Sequence, residues 1–121
     1  MDHVHPVCTR FHTAIELIGA RWTGAILRAM FTGAHQYSQI KTAVPGLSDT
    51  MLTQRLRTLE AEVIVERHVL PTSPVQVEYH LTDKGRQLEP VFASVIEWSH
   101  RWIPLDPDEG DTETCNVTSA T

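Results

Sequence analysis

The sequence predicts an α+β domain, mainly helical with a single two-stranded β-hairpin, arranged as a winged helix-turn-helix. Three observations carry this. Apolar residues recur at helical spacing in successive segments before residue 62. Pro45-Gly46 forces a turn between two of those segments. Two β-prone runs, residues 64–70 and 76–81, then flank Pro71-Thr72-Ser73-Pro74 as the arms of a hairpin flank its tip. Two short helices joined by a tight turn and followed by a hairpin give the winged helix-turn-helix order.

Each element has its own signal. Pro6 suits the first position of a helix, and Phe11, Ala14, Ile15 and Ile18 follow at helical spacing until Gly19 ends the segment. A second helix is expected over residues 21–31, with Trp22, Ala25, Ile26, Ala29 and Met30 apolar and Gly33 as its stop. Ser38 is expected to cap a short third helix through Ala43 that carries Ile40 inward. Ser48 is a good N-cap for a fourth helix over residues 49–62, and Asp49 in its first turn suits the helix dipole. There Leu52, Leu56 and Leu59 repeat at i, i+4 and i+7, one apolar stripe. Thr82 caps a last helix over residues 83–103, which Pro90 should kink or split in two.

The bulk properties narrow the class. A chain of 121 residues, 41% hydrophobic and 21% charged, fits one globular domain. It has no apolar run of about 18 residues and no basic-then-apolar leader at its start, so no membrane association and a cytoplasmic location are expected. Two cysteines, Cys8 and Cys115, make neither a disulfide scaffold nor a Cys-rich zinc module. The net charge of −5 comes from the end of the chain, where Asp106, Asp108, Glu109, Asp111 and Glu113 fall. Residues 1–105 are therefore read as a neutral body and 106–121 as an acidic, polar, flexible tail. Charge by itself gives no nucleic-acid signal.

With Leu52 facing inward, a step of about 100° per residue turns Thr50, Gln54, Arg57 and Ala61 outward, with Met51, Thr53 and Thr58 at the flanks. Arg55 lies nearer the buried edge, with a side chain long enough to reach out. Gln54 suits an adenine edge, Arg55 or Arg57 a guanine or a phosphate, and Thr50 or Met51 a thymine methyl. The N-terminus of this helix, at Ser48, also offers N–H groups to a phosphate. The pattern alone fits a solvated face on a core helix equally well.

A resemblance favours the DNA reading. Glu16-Leu17-Ile18-Gly19-Ala20-Arg21-Trp22-Thr23 with Ile26-Leu27-Arg28 resembles the opening signature of HxlR-type winged helix-turn-helix regulators. Pro45-Gly46-Leu47-Ser48 and the run from Met51 to Glu60 resemble that family's recognition segment. Val77-Glu78-Tyr79 and Leu81-Thr82-Asp83-Lys84-Gly85 resemble its wing and the junction to its last helix. The similarity covers about residues 6–102. It implies a homodimeric repressor or activator that binds a pseudo-palindromic double-stranded operator and joins its protomers through the first and last helices. Ile15, Val91, Phe92, Val95, Ile96, Trp98 and Trp102 would then form the dimer interface, with Phe92, Ile96 and Trp98 foremost. The alternative is that these residues only cover the helical core.

Several positions depart from the family pattern. Gln36, Thr50 and Gln76 stand where Arg, Lys and Arg are usual, so three potential phosphate contacts become neutral; Gln76 on the wing and Thr50 still count as DNA-facing candidates. Val63 replaces the glycine that ends the recognition helix. A left-handed valine costs about 1–2 kcal/mol, so the helix is expected to end differently or run on.

Cys8 is the sensor candidate. With Pro6 first in the helix, Cys8 would lie in the first turn, where the dipole favours a thiolate, with His12 four residues on. The resemblance adds that many family members carry a cysteine here and some use it to sense thiol-reactive stress. The alternative is an inert residue buried at the dimer seam. An extended tail would span roughly 33–36 Å between Leu105 and Cys115, enough to reach a partner's Cys8. His3, His5, Cys8 and His12 form a loose donor set for a metal-responsive alternative, but no metal or other cofactor is expected. Another alternative is a winged-helix interaction module with weak DNA binding. No phosphate loop, nucleophile elbow or HExxH motif supports an enzyme. The effector is expected to be an oxidant or a small molecule.

Overall fold

The structure is a computed structural model and describes residues 6–105. Along the chain run α1 (Thr9–Ile18), α2 (Thr23–Phe31), α3 (Tyr37–Ala43), α4 (Asp49–Ala61), β1 (Val65–Leu70), β2 (Gln76–Leu81), α5 (Asp83–Arg86) and α6 (Glu89–Trp102). This is the expected α+β winged-helix order. No helix among the described residues is long and apolar enough to cross a membrane.

The core forms where α2, α3, α4 and the start of β1 meet. Ile26, Leu27, Ile40, Leu52, Leu56, Leu59 and Ile64 are all at most 2% exposed. The Leu52, Leu56 and Leu59 stripe lies wholly inside it, as its spacing predicts. Burying each such leucine stabilises the fold by about 1.5–3 kcal/mol, which fixes α4 about its own axis. β1 and β2 pair antiparallel from Val65 opposite Leu81 to Leu70 opposite Gln76. A bridge from Gln36 to Glu78 adds an incipient third strand on the other side of β2.

Several boundaries differ from expectation. Pro6 lies outside α1, whose N-cap is Cys8, so Cys8 precedes the first turn instead of sitting in it. No side chain caps this end and Val7 stands exposed, so nothing offsets the cost of ordering a further turn. α2 begins at Thr23 and not at Arg21, because Trp22 adopts a left-handed backbone (φ 75°) that a helix cannot include. Ser38 is the second residue of α3, not its cap. Gln36 is the cap, in a reciprocal capping box with Gln39. Pairing with Glu78 holds Gln36 extended, the conformation an N-cap needs. The last helix is split, as Pro90 allows, with the proline in the first turn of α6.

The end of α4 contradicts the expectation drawn from Val63. The helix stops where a glycine would stop it, and Val63 itself takes the left-handed conformation (φ 59°). Val63 N–H donates to the Glu60 carbonyl and Ile64 N–H to the Leu59 carbonyl, a complete Schellman closure around buried Leu59 and Ile64. α2 ends the same way, with Gly33 (φ 115°) in the corresponding place. At α4 the surroundings hold the strained residue. The Thr82 hydroxyl donates to the Val63 carbonyl (2.6 Å), and Lys84 Nζ to the Glu62 carbonyl (2.6 Å).

Candidate nucleic-acid interface

The buried leucine stripe leaves Thr50, Gln54, Arg57, Thr58 and Ala61 exposed on the far side of α4. At its start the Ser48 hydroxyl accepts the Met51 N–H (3.1 Å), which completes the expected cap. Met51 and Thr53 are half-buried flanks. Met51 packs against the core, and Thr53 Oγ1 lies 3.5 Å from the Tyr37 hydroxyl. The Thr58 hydroxyl turns back to the Gln54 carbonyl (3.1 Å), so Gln54 and Arg57 dominate the middle of the face. Arg55 has a different attachment. Its Nε donates to the Arg21 carbonyl at 2.8 Å and moors α4 to the turn between α1 and α2. Gln76 is exposed at the wing tip, opposite Leu70.

A clamp that the sequence did not announce joins α3 to α4. Lys41 Nζ and the Tyr37 hydroxyl both lie 3.1 Å from Asp49 Oδ1, and the same hydroxyl is 3.2 Å from the Asp49 carbonyl. The hydrogen bond from Lys41, then that from Tyr37, and then the lysine charge hold the Asp49 carboxyl below the usual aspartate range. The clamp joins the two helices of the turn motif at the edge of the leucine stripe, and so helps fix their angle. Lys41 as the one cation in α3 was the available clue.

A second surface is apolar. α1 and α6 contain no buried residue. α6 carries two stripes. Leu88, Phe92, Ile96 and Ser99 are half-buried, while Val91, Val95, Trp98 and Trp102 face solvent, the last three 60, 58 and 64% exposed. Phe92 belongs largely to its own protomer. Its ring meets Phe31 edge-on at 5.4 Å, with Gly24 leaving space beside it. Phe92 and Ile96 thus line the inner stripe, and the outward surface shifts to Val91, Val95, Trp98 and Trp102. On α1, Phe11 and Ile15 are exposed one turn apart, in line with exposed Val7.

Cys8 is exposed, and its side chain makes no capping bond. Cys115, His3, His5 and the acidic tail from residue 106 lie outside the described residues. Among the described residues no three His, Cys, Asp or Glu side chains are arranged to hold a metal.

Comparisons with known proteins agree with this geometry. Residues 17–107 match the model of the HxlR-like helix-turn-helix family. The chain is 39% identical over 97 residues to the HTH-type transcriptional regulator YvaP of Bacillus subtilis, covering 80% of this chain and 90% of YvaP. It is 38% identical over 106 residues to the HTH-type transcriptional regulator YodB of the same organism, covering 88% and 91%. The reduced form of YodB superposes with a TM-score of 0.72 at 37% identity, over 88% of this chain and all of that one. The redox regulator HypR in its oxidized form gives 0.73 at 33% identity, over 79% and 99%. With the helix order, the capped α4 and the wing already in place, these matches show that the chain belongs to the HxlR-like helix-turn-helix family of transcriptional regulators.

Proposed function

We propose that the protein works as a homodimer that reads a pseudo-palindromic DNA operator through α4. The observation that carries this is the exposed Thr50, Gln54 and Arg57 face, locked in position by the buried leucines behind it. A recognition helix needs such a rigidly presented polar face to enter the major groove. The exposed stripe of α6 and the Phe11–Ile15 edge of α1 supply an apolar surface suited to a second copy. Half-sites about 10–10.5 bp apart, or a multiple of that, would then match the two recognition helices.

The test is retardation of the DNA upstream of its own gene, with footprinting to locate the operator. Arg57→Ala and Gln54→Ala should each weaken specific binding by about 1–3 kcal/mol. With neutral Thr50 and Gln76 near the DNA, affinity should also fall less steeply with salt than for a heavily basic regulator. Unchanged affinity in both variants would reject α4 as the reading element.

A second reading concerns regulation and rests on Cys8, exposed at the head of α1 beside the apolar edge. A diamide-treated form of YodB is among the similar structures, and HypR is described as a redox regulator. Here diamide would take two electrons and two protons from a pair of thiols, leaving a disulfide between protomers through Cys8, with Cys8 or Cys115 of the second copy as its mate. Non-reducing gels should show a covalent dimer in the wild type and none in Cys8→Ser. The Cys115→Ser variant then separates the two pairings. A covalent dimer that persists in Cys8→Ser would exclude this role.

A further inference from the structure

The wing carries a group of side chains that α4 and Cys8 leave unused. The rings of His68 and His80 stack at 4.7 Å, and His35, from the segment before α3, stacks on His80 at 5.8 Å. Two carboxylates hold the three rings. His80 Nε2 lies 2.8 Å from Glu78 Oε1, His35 Nε2 lies 3.7 Å from Glu78 Oε2, and His68 Nε2 lies 3.1 Å from Glu66 Oε1. All three imidazoles are roughly half-exposed. On the hairpin, strand alternation puts Glu66, His68, Glu78 and His80 on one face together with Gln76 at the tip. The remaining charged neighbour is Arg86 of α5, which lines the shallow cleft below His35 and His80. Its charge is occupied by Asp83 and the Leu81 carbonyl.

Hydrogen bonding separates the roles of the rings. His35 Nδ1 lies 3.1 Å from the Gly33 carbonyl, which can only accept, so Nδ1 carries a proton. A neutral His35 therefore points a lone pair of Nε2 at a carboxylate oxygen, and protonation turns that lone pair into a donor. His68 and His80 can each donate to their carboxylates while neutral, and protonating them adds charge without breaking either bond.

We propose that this histidine face of the wing is a proton-gated contact surface for the DNA backbone. The proposal rests on the DNA-binding reading above. Imidazole changes charge between about pH 5 and 8. Protonating all three rings takes the five side chains from two net negative charges, carried by Glu66 and Glu78, to one net positive charge. The face is continuous with the wing tip at Gln76: His68 and Glu78 lie two residues back, about 7 Å and within a Debye length, and Glu66 and His80 about 13 Å back. The surface repels DNA when neutral and attracts it when acidified.

The test is DNA binding by the full chain at about pH 5.5 and pH 8, using the duplex upstream of its own gene at roughly 0.15 M salt. Wild type should bind about tenfold tighter at the lower pH, with a salt slope steeper by about 1–2 there. Replacing His35, His68 and His80 together by Gln should abolish this difference. Replacing His3, His5, His12 and His100 by Gln should leave it intact. His35→Gln alone should lose part of it, and thermal melts at both pH values verify that each variant is folded. Equal wild-type affinity at both pH values, or a pH effect that follows the second histidine set, would overturn the proposal. Absence of binding by wild type at either pH would instead overturn the DNA-binding reading on which it stands.

Discussion

Val63 and Asp49 mark the two ends of α4, and both hold unusual states because of partners elsewhere in the chain. Val63 is left-handed and its side chain is exposed, so the conformation gains nothing from packing the valine. Val63→Gly should raise stability by about 1 kcal/mol in urea unfolding, less than the full strain because glycine is also freer when unfolded; a destabilised variant would contradict the strain. Asp49 is a depressed carboxylate, so its contribution is present above the pH where an unfolded aspartate titrates, near 4, and is lost as pH falls through its lower folded value. Tyr37→Phe removes one of its hydrogen bonds and should move the titration of its carboxyl carbon, followed by NMR, back towards the ordinary range. These states were hidden in the sequence for a shared reason. Val63 is steadied by Thr82, and Asp49 by Tyr37 and Lys41, partners 8 to 19 positions away that no local pattern connects. The outward set of Thr50, Gln54 and Arg57 was legible because it follows from helical period alone.

Elements differ in how much of their definition is local. α4 announces itself through Ser48, Asp49 and three leucines, and its observed limits lie within a residue of the expected ones. α3 does not, because its cap depends on Gln36 being drawn into the sheet beside Glu78. Ser48→Ala should cost about 1 kcal/mol through the lost cap, measured by thermal or urea unfolding. α5 packs closely on Ile64, the residue before β1. A Cβ at Gly85 would collide with the Ile64 carbonyl oxygen and press on Ile64 Cγ2 at 3.2 Å. Gly85→Ala should therefore cost about 1–3 kcal/mol, although alanine favours helices in isolation. A neutral or stabilising outcome would mean that α5 can withdraw from Ile64. Gly85 belonged to a recognisable motif, but its close approach to Ile64 became visible only once the hairpin was folded back on α5.

At the scale of the molecule, α1 and α6 pose the main question, since a protomer that exposes Phe11, Val95, Trp98 and Trp102 presents much apolar surface to water. The residues expected at an interface divide between two adjacent stripes of α6, Phe92 and Ile96 half-buried and Val91, Val95, Trp98 and Trp102 exposed, because apolar spacing alone cannot say which stripe the chain itself covers. Val95→Glu with Trp98→Glu should convert the proposed dimer to a monomer in sedimentation velocity and weaken operator binding at least tenfold, because one half-site is lost per particle. A dimer that survives both changes would place the interface elsewhere.

The hydrogen bond from Arg55 to the Arg21 carbonyl has a mechanical consequence. α1 buries no side chain fully; Leu17 and Ile18 near its C-terminal end are half-buried, and Cys8 is exposed at its head. α4 is tied to the chain two residues beyond Gly19, in the turn that follows α1, and not to α1 itself. A rotation of the Arg21 peptide would therefore pull directly on α4 through the Arg55 side chain.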